Sequence, residues 1–196
     1  MTVKLGLTGS IGMGKSTTAK MFAEEGCDVW DADAAVHRLY RAGGAAVAPM
    51  QAVFPQAVVA NAVSRDALKA IIATDPDALR QIEQIVHPLV AQDRAAFVAA
   101  SQADIIVFDI PLLFETGGDA AMDVTVVVSA PSDVQRARVL ERETMTEAQF
   151  NQILAKQMPD AQKRARADHV ILTDTVEHAR EQVQSIVKHI REQAHA

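Results

Sequence analysis

The residues most able to do chemistry form a glycine-rich segment near the N-terminus. Residues 9–16 read G-S-I-G-M-G-K-S and match the phosphate-binding pattern G-x-x-x-x-G-K-[ST] in full. We expect Gly9, Gly12 and Gly14 to adopt positive φ and to bring backbone N–H groups against phosphate oxygens, because no Cβ atom stands in the way. A helix beginning directly after the loop would offer its unpaired N–H groups to the same anion. The segment therefore predicts a site for the phosphates of a nucleotide.

Three side chains at the end of this loop have distinct predicted roles. We expect Lys15 to reach the β- and γ-phosphates of ATP, Ser16 to coordinate Mg²⁺, and Thr17 to place a hydroxyl near the α-phosphate. The alternative is a glycine-rich turn that binds nothing, but an apolar segment precedes the loop and a helical pattern follows it, as phosphate binding requires. The loop residues predicted to bind ATP are Gly9, Ile11, Gly12, Met13, Gly14, Lys15, Ser16 and Thr17.

A phosphate-binding loop occurs in kinases, switch GTPases and motors, so it does not identify the reaction by itself. The guanine-reading pattern N-K-x-D is absent from the chain, and no D-x-x-G follows a suitable strand. A chain of 196 residues also leaves little room for motor machinery. These observations favour a small-molecule kinase.

Two carboxylates follow the second predicted strand. Asp31 and Asp33 stand at its carboxyl end, which is where ligands bind in parallel sheets. We expect Asp33 to accept the proton of an attacking hydroxyl or to hold that hydroxyl in line with the γ-phosphorus. The side chain of Asp31 could point either way. The alternative role for both acids is to cap a helix over 34–42.

A third acid, Asp109, ends the apolar run 105–109. In that position it resembles a Walker B acid that holds Mg²⁺ through water, although a structural cap at a strand end is equally compatible with the pattern. The run P-L-L-F-E at 111–115 follows directly, and its apolar side chains would line a groove beside the sheet.

A stripe of polar side chains lies on the helix that Pro131 opens. Gln135, Arg138 and Arg142 are spaced i, i+3 and i+7, so they share one face. Two guanidinium groups on one stripe suit the charge on a transferring phosphoryl group, and we expect Arg138 and Arg142 to contact ATP. The alternative is a solvated helix face carrying ordinary ion pairs.

His87 directly precedes Pro88. Taken alone, a histidine in this position is more typical of a capping or packing residue.

The elements that must position these residues alternate between strand and helix. Apolar runs predict strands at 3–8, 27–30, 105–109, 124–128 and 169–172, with helices between them, which indicates an α/β fold with a parallel sheet. A helix over 15–25 should follow the phosphate loop, and an amphipathic helix over 176–190 should close the chain.

Two stretches depart from simple alternation. Residues 34–102 show a helical pattern throughout, with Ser64 and Asp75 as N-caps and Pro88 bending or dividing the run, so we expect an inserted helical part. Residues 144–162 are polar and contain Pro159, which predicts a mobile flap.

Composition excludes several classes of protein. Hydrophobic residues make up 49% and charged residues 22% of the chain, which suits one folded domain, and the net charge of −6 argues against a nucleic-acid binder. No stretch approaches the roughly 18 apolar residues of a membrane span. The single cysteine, Cys27, cannot form an internal disulfide and is expected to be a small buried side chain. We therefore expect a cytoplasmic location.

The motifs together resemble the dephospho-coenzyme A kinase family over nearly the whole chain. They are L-T-G-x-I-G-x-G-K-S-T at 7–17, D-A-D at 31–33, H-P at 87–88, P-L-L-F-E at 111–115, Q-x-x-R-x-x-x-R at 135–142, Gln157, and A-D at 167–168.

This resemblance implies a P-loop NTPase fold of the nucleoside-monophosphate-kinase type. Its three-layer α/β/α core, with a five-stranded parallel sheet, would comprise 1–33, 103–138 and 167–196. The helical CoA-binding part would comprise 34–102, and the lid would comprise about 139–166. It further implies transfer of the γ-phosphoryl group of ATP, with Mg²⁺, to the ribose 3′-hydroxyl of dephospho-CoA. We expect the protein to be a monomer or small homo-oligomer.

Site residues carried over by position are also implied by the resemblance. Asp33 would face the 3′-hydroxyl, and Arg142 would meet the ATP phosphates from the lid. Where the family often has an asparagine close to the adenine, this chain has Thr173-Asp174. The implied acceptor-binding residues are Thr8, Asp33, His87, Pro111, Leu112 and Leu113.

Overall fold

The computed structural model describes residues 2–141 and 144–194. The chain divides into two compact units, which we call the core unit (Met1–Trp30 and Ser101–Ala196) and the helical unit (Asp31–Ala100). In chain order the elements are β1 (Val3–Thr8), α1 (Lys15–Glu24), β2 (Asp28–Asp31), α2 (Ala32–Tyr40), α3 (Val47–Val53), β3 (Val58–Val59), β4 (Ala62–Val63), α4 (Arg65–Thr74), α5 (Ala78–Ala100), β5 (Ile105–Asp109), β6 (Val124–Ser129), α6 (Ser132–Glu141), α7 (Glu147–Lys156), α8 (Asp160–Arg166), β7 (His169–Leu172) and α9 (Val176–Ala194).

A five-stranded sheet with the order β2-β5-β1-β6-β7 forms the centre of the core unit. Strand β1 pairs in parallel with β5 and β6, and β6 pairs in parallel with β7. The strands are short runs of Val, Ile and Leu, as expected for strands covered on both faces. The predicted α/β fold with a parallel sheet is confirmed. The loops that follow β1, β5, β6 and β7 consequently leave the sheet at one edge.

The core of this unit lies between the sheet and the helices α1 and α9. Leu5 and Leu7 alternate with residues of the other face and are fully buried, together with Phe22 of α1 and Val183 of α9. Each such side chain contributes about 1.5–3 kcal/mol through removal from water. Cys27 belongs to the same cluster, as predicted, and burial raises the pKa of its thiol to about 11.

The helical unit has a separate core. Apolar residues of α2, α3, α4 and α5 form one cluster, and Arg38 of α2 makes a two-point ion pair with Asp93 of α5 at 3.1 and 2.6 Å. The larger members of the cluster include Leu39, Tyr40, Met50, Phe54, Leu68 and Ile82.

Residues 34–102 are not helical throughout, so that prediction was wrong in part. Strands β3 and β4 form an antiparallel hairpin, whose two turn residues, Ala60 and Asn61, have φ of 48° and 60°. Positive φ at both central residues matches the twist of a hairpin, but alanine is an unusual residue for this conformation. The sequence therefore lacked the Asn-Gly or Asp-Gly signal that would have revealed the turn.

Asp75 follows α4, and its carboxylate accepts a hydrogen bond from the Asp77 N–H at 2.9 Å, which is the bond that the predicted N-cap would make ahead of α5. The alternative that Pro88 divides the helical run was wrong. Helix α5 runs undivided through Pro88, although an interior proline costs a helix about 3 kcal/mol. Packing of Ile82 and Val86 into the core of the helical unit compensates for that cost. Ser64 caps α4 as predicted, accepting from the Ala67 N–H at 3.2 Å.

The stretch 144–162, expected to be a flap, contains ordered elements. Thr146 and Gln149 form a capping box that begins α7, and Phe150 is buried. Helix α8 follows Pro159, and its Lys163 is fully buried. Whether part of this stretch moves as a lid stays a prediction.

Asp168 fixes the start of the β6–β7 pair. Its carboxylate accepts hydrogen bonds from the Thr125 N–H at 2.8 Å and the Thr125 hydroxyl at 2.7 Å. These bonds hold the pKa of Asp168 below its ordinary value of 3.8, and the bond from the hydroxyl has the larger effect. A carboxyl with a lowered folded pKa stabilises the fold above its unfolded pKa and loses that contribution as the pH falls through the folded pKa.

We predict that Asp168→Ala lowers the free energy of unfolding at neutral pH by about 1–2 kcal/mol, because two hydrogen bonds to a charged acceptor are lost. The difference from wild type should hold down to the ordinary pKa of 3.8 and shrink below it. Urea unfolding at several pH values measures this. Glu192→Ala, which removes only an exposed ion pair with Lys188, serves as the control. A loss independent of pH would contradict the role given to the carboxylate.

Candidate active site

The glycine-rich loop joins β1 to α1 at the carboxyl edge of the sheet. Gly12 and Gly14 have φ of 78° and 88°, and Gly14 is the N-cap of α1. Gly9 does not have positive φ, contrary to expectation. Glycine is needed there for close packing instead, because a Cβ atom would lie 2.3 Å from the Val128 side chain. The backbone of the loop is thus shaped by two left-handed residues and one close approach to β6.

Two glutamine side chains hold the loop at Ile11. The Ile11 N–H donates to Gln157 Oε1 at 3.1 Å, and the Ile11 carbonyl accepts from Gln135 Nε2 at 2.7 Å. Gln135 is buried on α6, and Gln157 ends α7. The loop is therefore held in place through the two peptide groups that flank the Ile11 side chain.

A third support comes from the residue after β7. The Thr173 hydroxyl donates to the Met13 carbonyl at 2.7 Å and accepts from Arg138 Nη1 at 3.0 Å. Arg138 also donates to the Thr173 carbonyl. The predicted ATP contact Arg138 is thus anchored to the end of β7 through both of these bonds.

Lys15 and Asp109 come together beneath the loop. The Lys15 ammonium donates to Asp109 Oδ1, and the Asp109 side chain is 4% exposed while that of Lys15 is 17% exposed. Strand pairing explains the contact, since Leu7 of β1 lies opposite Asp109 of β5. A buried acid thus holds the lysine of the phosphate loop, an arrangement that suits both a cation for phosphates and a carboxylate near a metal.

Ser16 and Thr17 begin α1 and are exposed, so their hydroxyls are accessible to a ligand. Beside them lies a cavity of about 350 Å³, a size in the range of small-ligand sites. Its lining combines the loop, α1, α6 and the start of α9, with Gly14, Thr17, Met21, Arg138, Thr173, Thr175 and Val176 among the residues.

The predicted acceptor residues of the core unit differ in their accessibility. Leu112 is 41% exposed and faces solvent. Leu113 is fully buried and packs against Gly6, so it supports the segment instead of lining a surface. Thr8 is also buried, and its hydroxyl donates to the Pro111 carbonyl at 3.1 Å.

The remaining predicted residues belong to the helical unit or lie outside the described residues. Asp31 is the N-cap of α2 and accepts from the Ala34 N–H at 2.9 Å, whereas Asp33 is exposed in the first turn of that helix. Capping is therefore done by Asp31 and not by Asp33. His87 is exposed in the middle of α5, not at a helix boundary. Arg142 lies outside the described residues.

Sequence reasoning missed a buried ion pair behind this edge of the sheet. Glu115 Oε1 lies 2.9 Å from Lys163 Nζ and accepts from the Met158 N–H at 2.8 Å. Burial acts to raise the pKa of Glu115, but the bonds from Lys163 and Met158 outweigh it and hold that pKa below its usual value. A lysine in a short polar helix carries no sign of burial in the sequence. Thr173 was identifiable, because it follows a strand at the carboxyl edge.

Within residues 2–141 and 144–194 no group of three or more His, Cys, Asp and Glu side chains is arranged to hold a metal ion. No helix in the same part of the chain is long and apolar enough to cross a membrane.

The sequence and the structure were each compared with those of known proteins. Residues 3–179 match the family model described as CoaE, dephospho-CoA kinase. The dephospho-CoA kinase of Ruegeria pomeroyi is 70% identical over 191 residues, which cover 97% of each chain. The crystal structure of TT1252 from Thermus thermophilus has a TM-score of 0.85 at 31% identity, over 95% of this chain and 96% of that one.

A dephospho-CoA kinase from Campylobacter jejuni shares the fold, with a TM-score of 0.70 at 19% identity over 99% of this chain and all of that one. The parallel sheet, the phosphate loop and the lysine beside a buried acid define a P-loop nucleotide-binding protein. Within that class, the chain belongs to the dephospho-CoA kinase family. It is an ATP-dependent kinase.

The contact between Gln157 and Ile11 gives a test of how close Gln157 lies to bound phosphates. We predict that Gln157→Glu weakens ATP binding at least about tenfold, because a carboxylate would repel the phosphates while still accepting the Ile11 N–H. Gln157→Ala should weaken binding only about threefold, since it loses one hydrogen bond. Titration calorimetry with ATP gives both dissociation constants.

Gln152→Glu is the matched control, because it adds the same charge at an exposed position of α7. It should bind ATP as wild type does. A larger loss for alanine than for glutamate would show that Gln157 acts only as a support for the loop.

Proposed function

We propose that this kinase transfers the γ-phosphoryl group of ATP to the ribose 3′-hydroxyl of dephospho-CoA, giving coenzyme A and ADP. This is the last step of coenzyme A biosynthesis. The observation that carries the proposal is the Lys15–Asp109 contact beneath a preformed phosphate loop. Membership of the dephospho-CoA kinase family supports the choice of acceptor.

In this proposal the phosphates of ATP occupy the loop 9–16. Backbone N–H groups and Lys15 bind the β- and γ-phosphates, and Thr17 lies by the α-phosphate. The adenosine part fits the cavity of about 350 Å³ that Gly14, Thr173 and Thr175 help to line. Arg142 would add a cation at the transferring group, and Arg138 would support the nucleotide from the end of β7.

Mg²⁺ is the metal that suits the side chains near this loop. Ser16 presents an exposed hydroxyl and Asp109 a carboxylate, both hard oxygen donors, and the remaining ligands would be phosphate oxygens and water. Ser16 is the proposed direct ligand, and Asp109 the proposed ligand through water. When bound, Mg²⁺ would offset negative charge on the β- and γ-phosphates.

Asp33 is the proposed base. Its exposed carboxylate makes no hydrogen bond to any side chain or backbone group within the described residues, while Asp31 does the capping. It would accept the proton as the 3′-oxygen bonds to the γ-phosphorus and the bond from phosphorus to the β–γ bridging oxygen breaks. His87, Leu112 and Pro111 would contact the acceptor, with Thr8 and Leu113 supporting that segment from beneath.

Water must be excluded for transfer to compete with ATP hydrolysis. We propose that residues 139–166 contain the lid that does this, that residues 34–102 form the CoA-binding part, and that the remaining residues form the nucleotide-binding core. We further propose that the enzyme acts in the cytoplasm as a monomer or small homo-oligomer.

An acceptor screen tests the proposed function. ADP formation from ATP and Mg²⁺ should rise strongly on addition of dephospho-CoA and little with shikimate, gluconate or nucleosides. Chemical analysis of the product should place the new phosphate on the 3′-oxygen. Strong stimulation by another hydroxyl compound, with none by dephospho-CoA, would overturn the assignment.

We predict that Asp33→Asn lowers kcat at least about 10²-fold, because the base is lost while the side chain keeps its size. ATP binding should stay within about twofold of wild type, since Asp33 faces the acceptor in this mechanism. Coupled-assay kinetics and calorimetry measure the two effects. Asp31→Asn is the control for the neighbouring acid and should leave turnover and stability nearly unchanged, because asparagine caps a helix about as well as aspartate does. Unchanged turnover in Asp33→Asn would favour a nucleotide sensor over a kinase.

We predict that Lys15→Ala weakens ATP binding and abolishes transfer, because the loop loses its only lysine. The variant should stay folded, so that its loss of activity reports on the phosphate site and not on the fold. Thermal unfolding and ADP formation separate the two properties. Near-normal activity in Lys15→Ala would contradict the proposed phosphate site.

A further inference from the structure

Lys163 is a fully buried lysine for which the proposed reaction has no direct use. It lies on α8, and its ammonium contacts two atoms of the segment that follows β5. One is Glu115 Oε1 at 2.9 Å, and the other is the Pro111 carbonyl at 3.5 Å. One side chain therefore reaches both ends of the segment 111–115.

Other contacts also tie this segment to the core unit, because Leu113 and Phe114 are buried and the Arg166 guanidinium lies 4.7 Å from the centre of the Phe114 ring. The Thr8 hydroxyl donates to the Pro111 carbonyl at 3.1 Å, and Thr8 directly precedes the phosphate loop. Glu115 Oε1 also accepts from the Met158 N–H, at the junction of α7 and α8. The contacts of Lys163, Thr8 and Met158 thus fix the polar atoms at the two ends of the segment that carries the exposed Leu112.

The pair is a costly way to obtain stability alone. Two charges have been removed from water, and Glu115 Oε2 is buried without a hydrogen-bond partner among the described residues. Apolar residues of similar volume often stabilise a protein as well as a buried ion pair does or better, whereas an ion pair fixes one geometry. A charged pair at this place therefore indicates that the position of the segment 111–115 has to be fixed.

We propose that Lys163 is a positioning residue, which fixes the segment 111–115 for the phosphoryl acceptor by holding Glu115 and the Pro111 carbonyl. The inference rests on the proposed function for the identity of the acceptor. It also makes α8 a fixed part of the core unit, so the moving part of the proposed lid ends before Asp160. The bond from Ser129 to Asp160 at 2.7 Å holds the start of α8 in the same way.

The first test is Lys163→Met, which keeps the length of the side chain and removes its charge. We expect the KM for dephospho-CoA to rise at least about tenfold, with the dissociation constant of ATP within about twofold of wild type. Arg164→Met is the matched control, because Arg164 is exposed on the same helix. It should leave both constants unchanged. An equal loss for ATP and acceptor, or no loss for either, would overturn the proposal.

Lys163→Met leaves the largely buried Glu115 carboxylate without its cation, with the Met158 N–H still donating to it, and is expected to be less stable. The double variant Lys163→Met/Glu115→Gln removes that charge and should regain thermal stability. We expect its KM for dephospho-CoA to stay raised, because no cation holds Pro111 and Glu115 together. A stable double variant with the acceptor KM of wild type would show that Lys163 serves stability only.

Hydrogen exchange gives a readout that does not depend on the acceptor. Backbone amides of residues 112–118 should exchange faster in Lys163→Met than in Arg164→Met, while amides of residues 9–16 exchange equally in both. If wild type fails to phosphorylate dephospho-CoA, the proposed function fails, and faster exchange in this segment still supports the positioning role. Unchanged exchange would reject that role for any acceptor.

Discussion

The site in the core unit depends on the shape of the phosphate loop. Side chains from other elements bind the carbonyl groups of this loop and leave backbone N–H groups to bind an anion. A phosphate loop has no regular hydrogen bonding of its own, so its shape must be imposed from outside. Here Gln135 binds the Ile11 carbonyl, and Thr173 binds the Met13 carbonyl. These bonds make the loop a preformed site, which reduces the ordering that a nucleotide must induce on binding.

The supports of the loop come from elements that follow it by more than a hundred residues. Gln135 lies on α6, Gln157 ends α7, and Thr173 follows β7. Parallel strand pairing explains how these three residues meet, because the carboxyl ends of parallel strands lie at the same edge of the sheet and the phosphate loop leaves the sheet at that edge. The site is therefore a property of the whole core unit and not of the glycine-rich segment alone.

Charge in the core unit is arranged as buried pairs with different consequences. Lys15 and Asp109 form one pair, beneath the phosphate loop. Lys163 and Glu115 lie behind the same edge, with the lysine fully buried, and nothing in the mechanism requires them to separate. One pair thus lies at the phosphate loop, and the other holds the segment 111–115.

The sequence by itself determined the phosphate loop, the α/β class, the bounds of β5 and the family resemblance. Those features rest on local patterns: glycine spacing, apolar runs and residue types at fixed offsets. The hairpin at 58–63 was not predicted, because Ala60-Asn61 is a weak turn signal. Helix α5 continues through Pro88, because packing outweighs the tendency of proline to end a helix. Only the tertiary structure decided that Asp31 caps α2, that Leu113 is buried, and that Lys163 pairs with Glu115. Each of these depends on neighbours distant in sequence or on backbone geometry, and no residue type or spacing within one segment encodes it.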